Sequence, residues 1–169
     1  MNSTPIETER KFLIRIPSIE DMKVQKNFRI RNITQTYLQS EGKKNSRVRA
    51  VVENNVTSYV KTVKERISTL SCYEDEHNIS LEEYKALLLI ADKEKKSIHK
   101  TRYSFEYCDH ILEIDIYEFW NDRATLEIEL QSEDEKFSIP SFIEVIKEIS
   151  TDGRYKNTNL AKSIPFDEI

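Results

Sequence analysis

Charged side chains alternate along almost every strand-like run of this chain, and that pattern limits the folds open to it. Successive residues on a strand point to opposite faces. In the run Ile6–Ile14, Glu7, Glu9 and Lys11 share one face, and Ile6, Thr8, Arg10, Phe12 and Ile14 share the other. Arg47 and Arg49 alternate with Val48 and Ala50 in Ser46–Glu53, and Tyr59 and Lys61 point together in Thr57–Lys64. Glu74 and Glu76 alternate in Thr69–Glu76; Lys100 and Arg102 oppose Tyr103 and Phe105 in Lys96–Tyr107. Glu113, Asp115 and Tyr117 oppose Leu112, Ile114 and Ile116 in His110–Phe119, and Glu127 and Glu129 oppose Leu126, Ile128 and Leu130 in Ala124–Gln131. With Arg29–Ser40, these runs make eight strand candidates, rich in β-branched and aromatic residues.

Breaks with turn chemistry, such as Glu53-Asn54-Asn55 and Asn121-Asp122, separate several runs. The connections are too short for parallel crossovers, so the pairing is expected to be antiparallel. Three segments read as helices. Ser80–Lys93 opens with a capping box, Ser80 and Glu83. Pro140–Ile149 has a proline near its start and a shared face of Phe142, Ile143, Ile146 and Ile149. Ser18–Lys26 is the weakest of the three. The expected class is α+β: a closed antiparallel eight-stranded barrel with a few outer helices, in one domain spanning residues 1–169. The tail Ser163–Ile169 is expected to be loose.

If the sheet closes, its charged faces converge on a lumen, and a barrel of eight strands has room for side chains or one small ligand. The acids Glu7, Glu9, Glu74, Glu76, Glu113, Asp115, Glu127 and Glu129 would line it, with the bases Lys11, Arg47, Arg49, Lys61, Lys100 and Arg102. Confined charges must be paired, hydrated or bound to metal. Carboxylate oxygens suit Mg²⁺ or Mn²⁺, and lysines and arginines suit phosphate oxygens. A chain-like anion fits this mixture. Only two glycines occur, so no glycine-rich phosphate loop is present and side chains must do the holding.

Other classes are disfavoured. The net charge of −4 does not suggest a nucleic-acid or membrane binder. Two cysteines are too few for a disulfide framework. With no signal peptide and no long apolar span, the cytoplasm is the expected location. His77, His99 and His110 lack metal-ligand spacing.

Several blocks carry a family resemblance. Glu7-Thr8-Glu9-Arg10-Lys11 resembles the ExExK signature of the CYTH, or triphosphate tunnel metalloenzyme, superfamily. Tyr37-Leu38-Gln39, Arg47-Val48-Arg49, Tyr59-Val60-Lys61, Glu74-Asp75-Glu76, Lys100-Thr101-Arg102-Tyr103, Glu113-Ile114-Asp115, Glu127-Ile128-Glu129 and Arg154-Tyr155-Lys156-Asn157 follow in the order of its compact bacterial members. The resemblance implies a tunnel that binds a triphosphate with Mg²⁺ or Mn²⁺ and performs phosphohydrolase or nucleotidyl-cyclase chemistry. It implies one metal site at Asp115, Glu127 and Glu129, and a second at Glu7 and Glu9 with Glu76. It gives the phosphate grip to Lys11, Arg47, Arg49, Lys61, Lys100, Arg102, Arg154 and Lys156. Glu7, Glu9, Lys11 and Glu129 are the residues expected to carry the reaction. Cys72 stands where many members have arginine, which bears on the substrate more than on the fold.

Inorganic tripolyphosphate is the favoured substrate, because no extra segment for a base or sugar is evident. An adenylate cyclase, an organic triphosphatase and a non-catalytic polyphosphate-binding domain remain as alternatives. The expected partner is a small-molecule triphosphate, with neither nucleic acid nor membrane; a homodimer stays open.

Overall fold

The computed structural model describes residues 6–40 and 42–169. Nine strands form the sheet: β1 (Ile6–Arg15), β2 (Lys26–Tyr37), β3 (Lys44–Glu53), β4 (Val56–Arg66), β5 (Ser71–Ile79), β6 (Ile98–Tyr107), β7 (His110–Tyr117), β8 (Arg123–Leu130) and β9 (Val145–Glu148). Their order is β5-β4-β3-β2-β6-β7-β8-β1-β9, and a pairing between β5 and β1 closes the first eight into a barrel. Every named pairing is antiparallel.

Two hairpins set the register. Asn54 and Asn55 both take positive φ, 50° and 63°, in a two-residue turn between β3 and β4. Asparagine tolerates that conformation, and two such residues match the twist of the flanking strands. Cys108 and Asp109, with φ of 47° and 64°, do the same between β6 and β7.

The apolar faces point outward. Phe12, Ile14, Phe105, Leu112, Ile114, Leu126 and Ile128 form a core on the outside of the barrel, covered by Met22 and Ile143. Met22 comes from the short helix α1 (Ile19–Lys23). Tyr84 of α2 (Leu81–Leu88) covers Leu38 and Val48. The capping box of α2 is present: Glu83 N donates to Ser80 Oγ at 3.1 Å, and Ser80 N donates to the Glu83 carboxylate at 2.8 Å. A third cluster, Leu13, Tyr37, Tyr117, Trp120, Ile149 and Tyr155, packs together with Leu160.

Three expectations are corrected. The segment Pro140–Ile149 is not a helix; Val145–Glu148 is β9. Where β5 departs from β1 after Thr8, the open edge of β1 at Phe12–Ile14 takes β9 as its partner. Demand for backbone partners there overrides the helical spacing. The helix expected over Ser18–Lys26 is shortened to Ile19–Lys23, because β2 already begins at Lys26. The tail Ser163–Ile169 is tied down. Trp120 Nε1 donates to the Pro165 carbonyl at 3.1 Å, and Arg123 Nη1 donates to the Asp167 carbonyl at 2.5 Å. A 3-10 turn (Gly153–Tyr155) and a short helix α3 (Asn157–Leu160) lead into it.

Candidate functional site

Directly paired residues on neighbouring strands share a face, so the register assigns the lumen. Lys11 lies opposite Glu127, Glu9 opposite Glu129, and Glu7 opposite Cys72. Arg102 lies opposite Asp115, Ser104 opposite Glu113, and Glu113 opposite Glu127. Arg47 faces Thr62, which faces Glu76; Lys64 faces Glu74. All eight acids named from the sequence therefore face inward, as do Lys11, Arg47, Arg49, Lys100 and Arg102.

Two of the expected phosphate contacts do not face the lumen. Lys61 lies opposite Val48 and His77, and Val48 belongs to the outer core under α2. Its side of β4 is the outside. Lys64, three residues later, is the inward lysine of that strand. Arg154 also points away. It is half-exposed and paired with Asp152 at 2.7 Å and Asp167 at 3.0 Å. Lys156 lines the cavity. Sequence reasoning passed over Arg31, Lys64 and Arg66. Arg31 Nη2 donates to Glu113 at 3.1 Å. Lys64 sits between Glu7 and Glu74. Arg66 donates to the Ser68 and Thr69 carbonyls and lines the cavity.

The innermost charges are strongly paired. Arg102 grips Asp115 with two bonds, 2.6 and 2.7 Å, and also reaches Glu113 and Glu127. Lys100 donates to the same Asp115 carboxylate at 2.6 Å. Lys11 pairs with Glu127 at 2.8 Å, and Arg49 with Glu76 at 2.5 Å. These contacts shift the protonation equilibria. Burial disfavours the Glu127 carboxylate, yet Lys11 and Arg102 outweigh it and hold the group at about 2. Burial lowers Lys100 to about 7 against the pull of Asp115.

Other acids lack such compensation. Burial, then the charges of Glu127 and Glu7, push Glu9 up to about 8. Partial burial and the facing carboxylates of Glu113 and Glu7 raise Glu129 to about 7. Both values exceed the ordinary glutamate value of 4.5, so the folded state holds protons that the unfolded chain releases. Stability from this source is complete below 4.5 and is lost as pH rises toward about 7 for Glu129 and about 8 for Glu9. The thermal midpoint in metal-free buffer should therefore fall between pH 5 and 8, and added Mg²⁺ or Mn²⁺ should recover part of that fall. Differential scanning fluorimetry across that range measures both effects; a midpoint that rises through the window would contradict them.

A cavity of about 500 Å³ opens from the lumen between the β2–β3 and β4–β5 hairpins and the segment Ile149–Thr158. Among the described residues, seven cationic side chains line it, Lys11, Lys43, Arg47, Lys64, Arg66, Arg102 and Lys156, against three carboxylates, Glu7, Glu9 and Glu127. Lys11, Lys64 and Arg102 are paired with acids. Among the described residues Arg47 makes no ion pair, and its buried Nε has no hydrogen-bond partner. A chain of net charge −4 thus concentrates an excess of four positive charges in one cavity. An anion with several charged oxygens satisfies that excess.

For a divalent cation the residues fit in chemistry. Glu7, Glu9 and Glu129 offer hard oxygen donors, and a cation would relieve the repulsion from neighbouring carboxylates that, after burial, raises Glu9 and Glu129. Among the described residues no three acidic side chains already converge as a cation site. Asp115 and Glu76 fit less well, because Arg102 and Lys100 occupy the first and Arg49 and Thr62 the second.

The family model of the CYTH domain matches residues 5–164. The chain belongs to the CYTH-domain family. Its barrel superposes on that of the inorganic triphosphatase NE1496 with a TM-score of 0.59 and 27% identity, covering 94% of this chain and 96% of the other. A protein from Pyrococcus horikoshii OT3 aligns at 18% identity and a TM-score of 0.57, over 76% of this chain and 81% of that one. A Vibrio parahaemolyticus protein described as a candidate adenylate cyclase aligns at 13% identity and a TM-score of 0.52, over 75% and 79%. The last two likenesses show the CYTH fold. No curated protein matches the sequence.

Proposed function

We propose that this CYTH protein hydrolyses a triphosphate, inorganic tripolyphosphate foremost, with Mg²⁺ or Mn²⁺ as cofactor. The observation that carries the reading is the cationic cavity of a net-acidic chain, with Arg47 at its wall making no ion pair among the described residues. The likeness to an inorganic triphosphatase supports it. Among the described residues the only aromatic rings on the cavity wall are Tyr37 and Tyr155, 4% and 0% exposed. Neither offers a face on which a nucleobase could stack, which favours an inorganic chain over a nucleotide. The reading includes a small-molecule partner and a cytoplasmic location. Among the described residues no helix is long and apolar enough to cross a membrane.

In this mechanism Arg47, Lys11, Lys64 and Arg102 bind the phosphate oxygens and hold the chain along the lumen. Asp115 and Glu127 keep Arg102 and Lys11 in place. The Glu129 carboxylate, which titrates near neutrality, accepts a proton from the attacking water. A Mg²⁺ or Mn²⁺ ion held by Glu7, Glu9 and Glu129 would, when bound, withdraw charge from the phosphate oxygens.

The test is a phosphate-release screen over tripolyphosphate, nucleoside triphosphates and thiamine triphosphate with each metal. Tripolyphosphate should give the highest kcat/KM. Arg47→Ala should raise its KM roughly tenfold, the size of one lost charge-assisted contact. Cyclic AMP from ATP would replace this reading with a cyclase, and tight binding without turnover would replace it with a binding domain.

A further inference from the structure

The tail beyond α3 ends in a residue with an unusual set of partners. The Asp167 carboxylate accepts from Lys147 Nζ at 2.9 Å, from Arg154 Nη1 at 3.0 Å and from the Tyr155 hydroxyl at 2.8 Å. Its own carbonyl accepts from Arg123. Four donors from β8, β9 and the 3-10 turn thus converge on one residue of the C-terminal strap. Tyr155 is fully buried and lines the cavity, and the next three residues, Lys156, Asn157 and Thr158, line it too. Asn157 is held from the barrel side, where the Tyr117 hydroxyl donates to its Oδ1 at 2.7 Å. The wall segment is therefore fixed at two points, by Tyr117 from within and by Asp167 from behind.

We propose that Asp167 is a positioning residue of the cavity: through Tyr155 and Arg154 it holds the wall segment that presents Lys156 to the anion. This rests on the triphosphate reading above. Lys156 has no carboxylate partner among the described residues, and burial and the nearby Arg66 charge both act against its ammonium. Left to itself, such a side chain moves toward water and away from a like charge. The strap opposes that movement by fixing the backbone beneath it. The same contacts hold Arg154 on the strap, outside the cavity lining.

The experiment compares Asp167→Asn, Asp167→Ala and Asp167→Glu in the full chain by two readouts. The first is amide hydrogen exchange without substrate. Asp167→Ala should speed exchange over Gly153–Leu160 about tenfold, while β1 and β8 keep their protection. The second is steady-state hydrolysis of tripolyphosphate. KM should rise roughly tenfold in Asp167→Ala with kcat within about twofold, and Asp167→Glu should recover most of the loss. Unchanged exchange in Gly153–Leu160, or a loss of activity that only follows the folded fraction, overturns the proposal. If the wild-type protein neither binds nor hydrolyses tripolyphosphate, the triphosphate reading fails, and the exchange result alone decides whether Asp167 fixes the wall.

Discussion

Arg102→Ala is expected to destabilise the fold by about 3–5 kcal/mol, the range for breaking a buried ion pair from one side. The side chain is 8% exposed and holds three carboxylates at once: Asp115 through two bonds, Glu113 and Glu127. Alanine removes the central cation and leaves those acids facing one another in the lumen. Lys100 still reaches Asp115, and loss of the neighbouring Arg102 charge favours its ammonium, but one buried lysine cannot replace the contacts to Glu113 and Glu127. Turnover should be lost as well, since the same guanidinium lines the anion cavity. Urea unfolding at pH 7 separates the two effects: a variant as stable as the parent would show that the three acids find other partners. Asp115→Asn tests the converse. It keeps the shape and removes one negative charge, so its cost should be smaller than that of Arg102→Ala.

The eight-strand barrel was legible because charges alternate with apolar residues along the middle of β7 and β8, Glu113 and Asp115 between Leu112, Ile114 and Ile116, and Glu127 and Glu129 between Leu126, Ile128 and Leu130, while β1 repeats the inward charges at Glu7, Glu9 and Lys11. The faces of β4 were harder. Tyr59 and Lys61 lie on one side, and Val60, Thr62 and Lys64 on the other, so each face carries a lysine and period alone cannot choose. The hairpin could have chosen. A two-residue Asn54-Asn55 turn pairs Glu53 with Val56, and counting back puts Val48 opposite Lys61. Since Val48 alternates with Arg47 and Arg49, Lys61 had to face outward. Arg31 was not open to this argument, since it lies opposite Arg102 on β6, and no hairpin joins β2 to β6. Two features had no local signal. β9 exists because β1 has an unfilled edge, and the diversion of Arg154 depends on Asp167, which no spacing rule connects to it. Both are decided by contacts between distant segments.

The uncompensated acids supply the other large effect. Glu129→Gln should lower kcat for tripolyphosphate at least about a hundredfold, the lower range for loss of a catalytic proton acceptor. Its thermal midpoint without metal should match or exceed that of the parent. The two expectations share one cause. Glu129 lies opposite Glu9 across the β1–β8 pair, and partial burial together with the charges of Glu113 and Glu7 raises it to about 7. Glutamine keeps the size and removes the charge, so repulsion among the lumen acids falls and the fold has nothing to lose. A carboxyl placed among like charges costs stability, and such a cost is tolerated where function needs it. The midpoint gain on adding Mg²⁺ or Mn²⁺ should accordingly shrink in the variant. Kinetics and a metal titration of the melting curve, run on the same preparation, decide the matter. Full turnover in Glu129→Gln would remove Glu129 from the reaction. Lost turnover with an unchanged metal-induced shift would leave it as the proton acceptor alone and place the cation on Glu7 and Glu9.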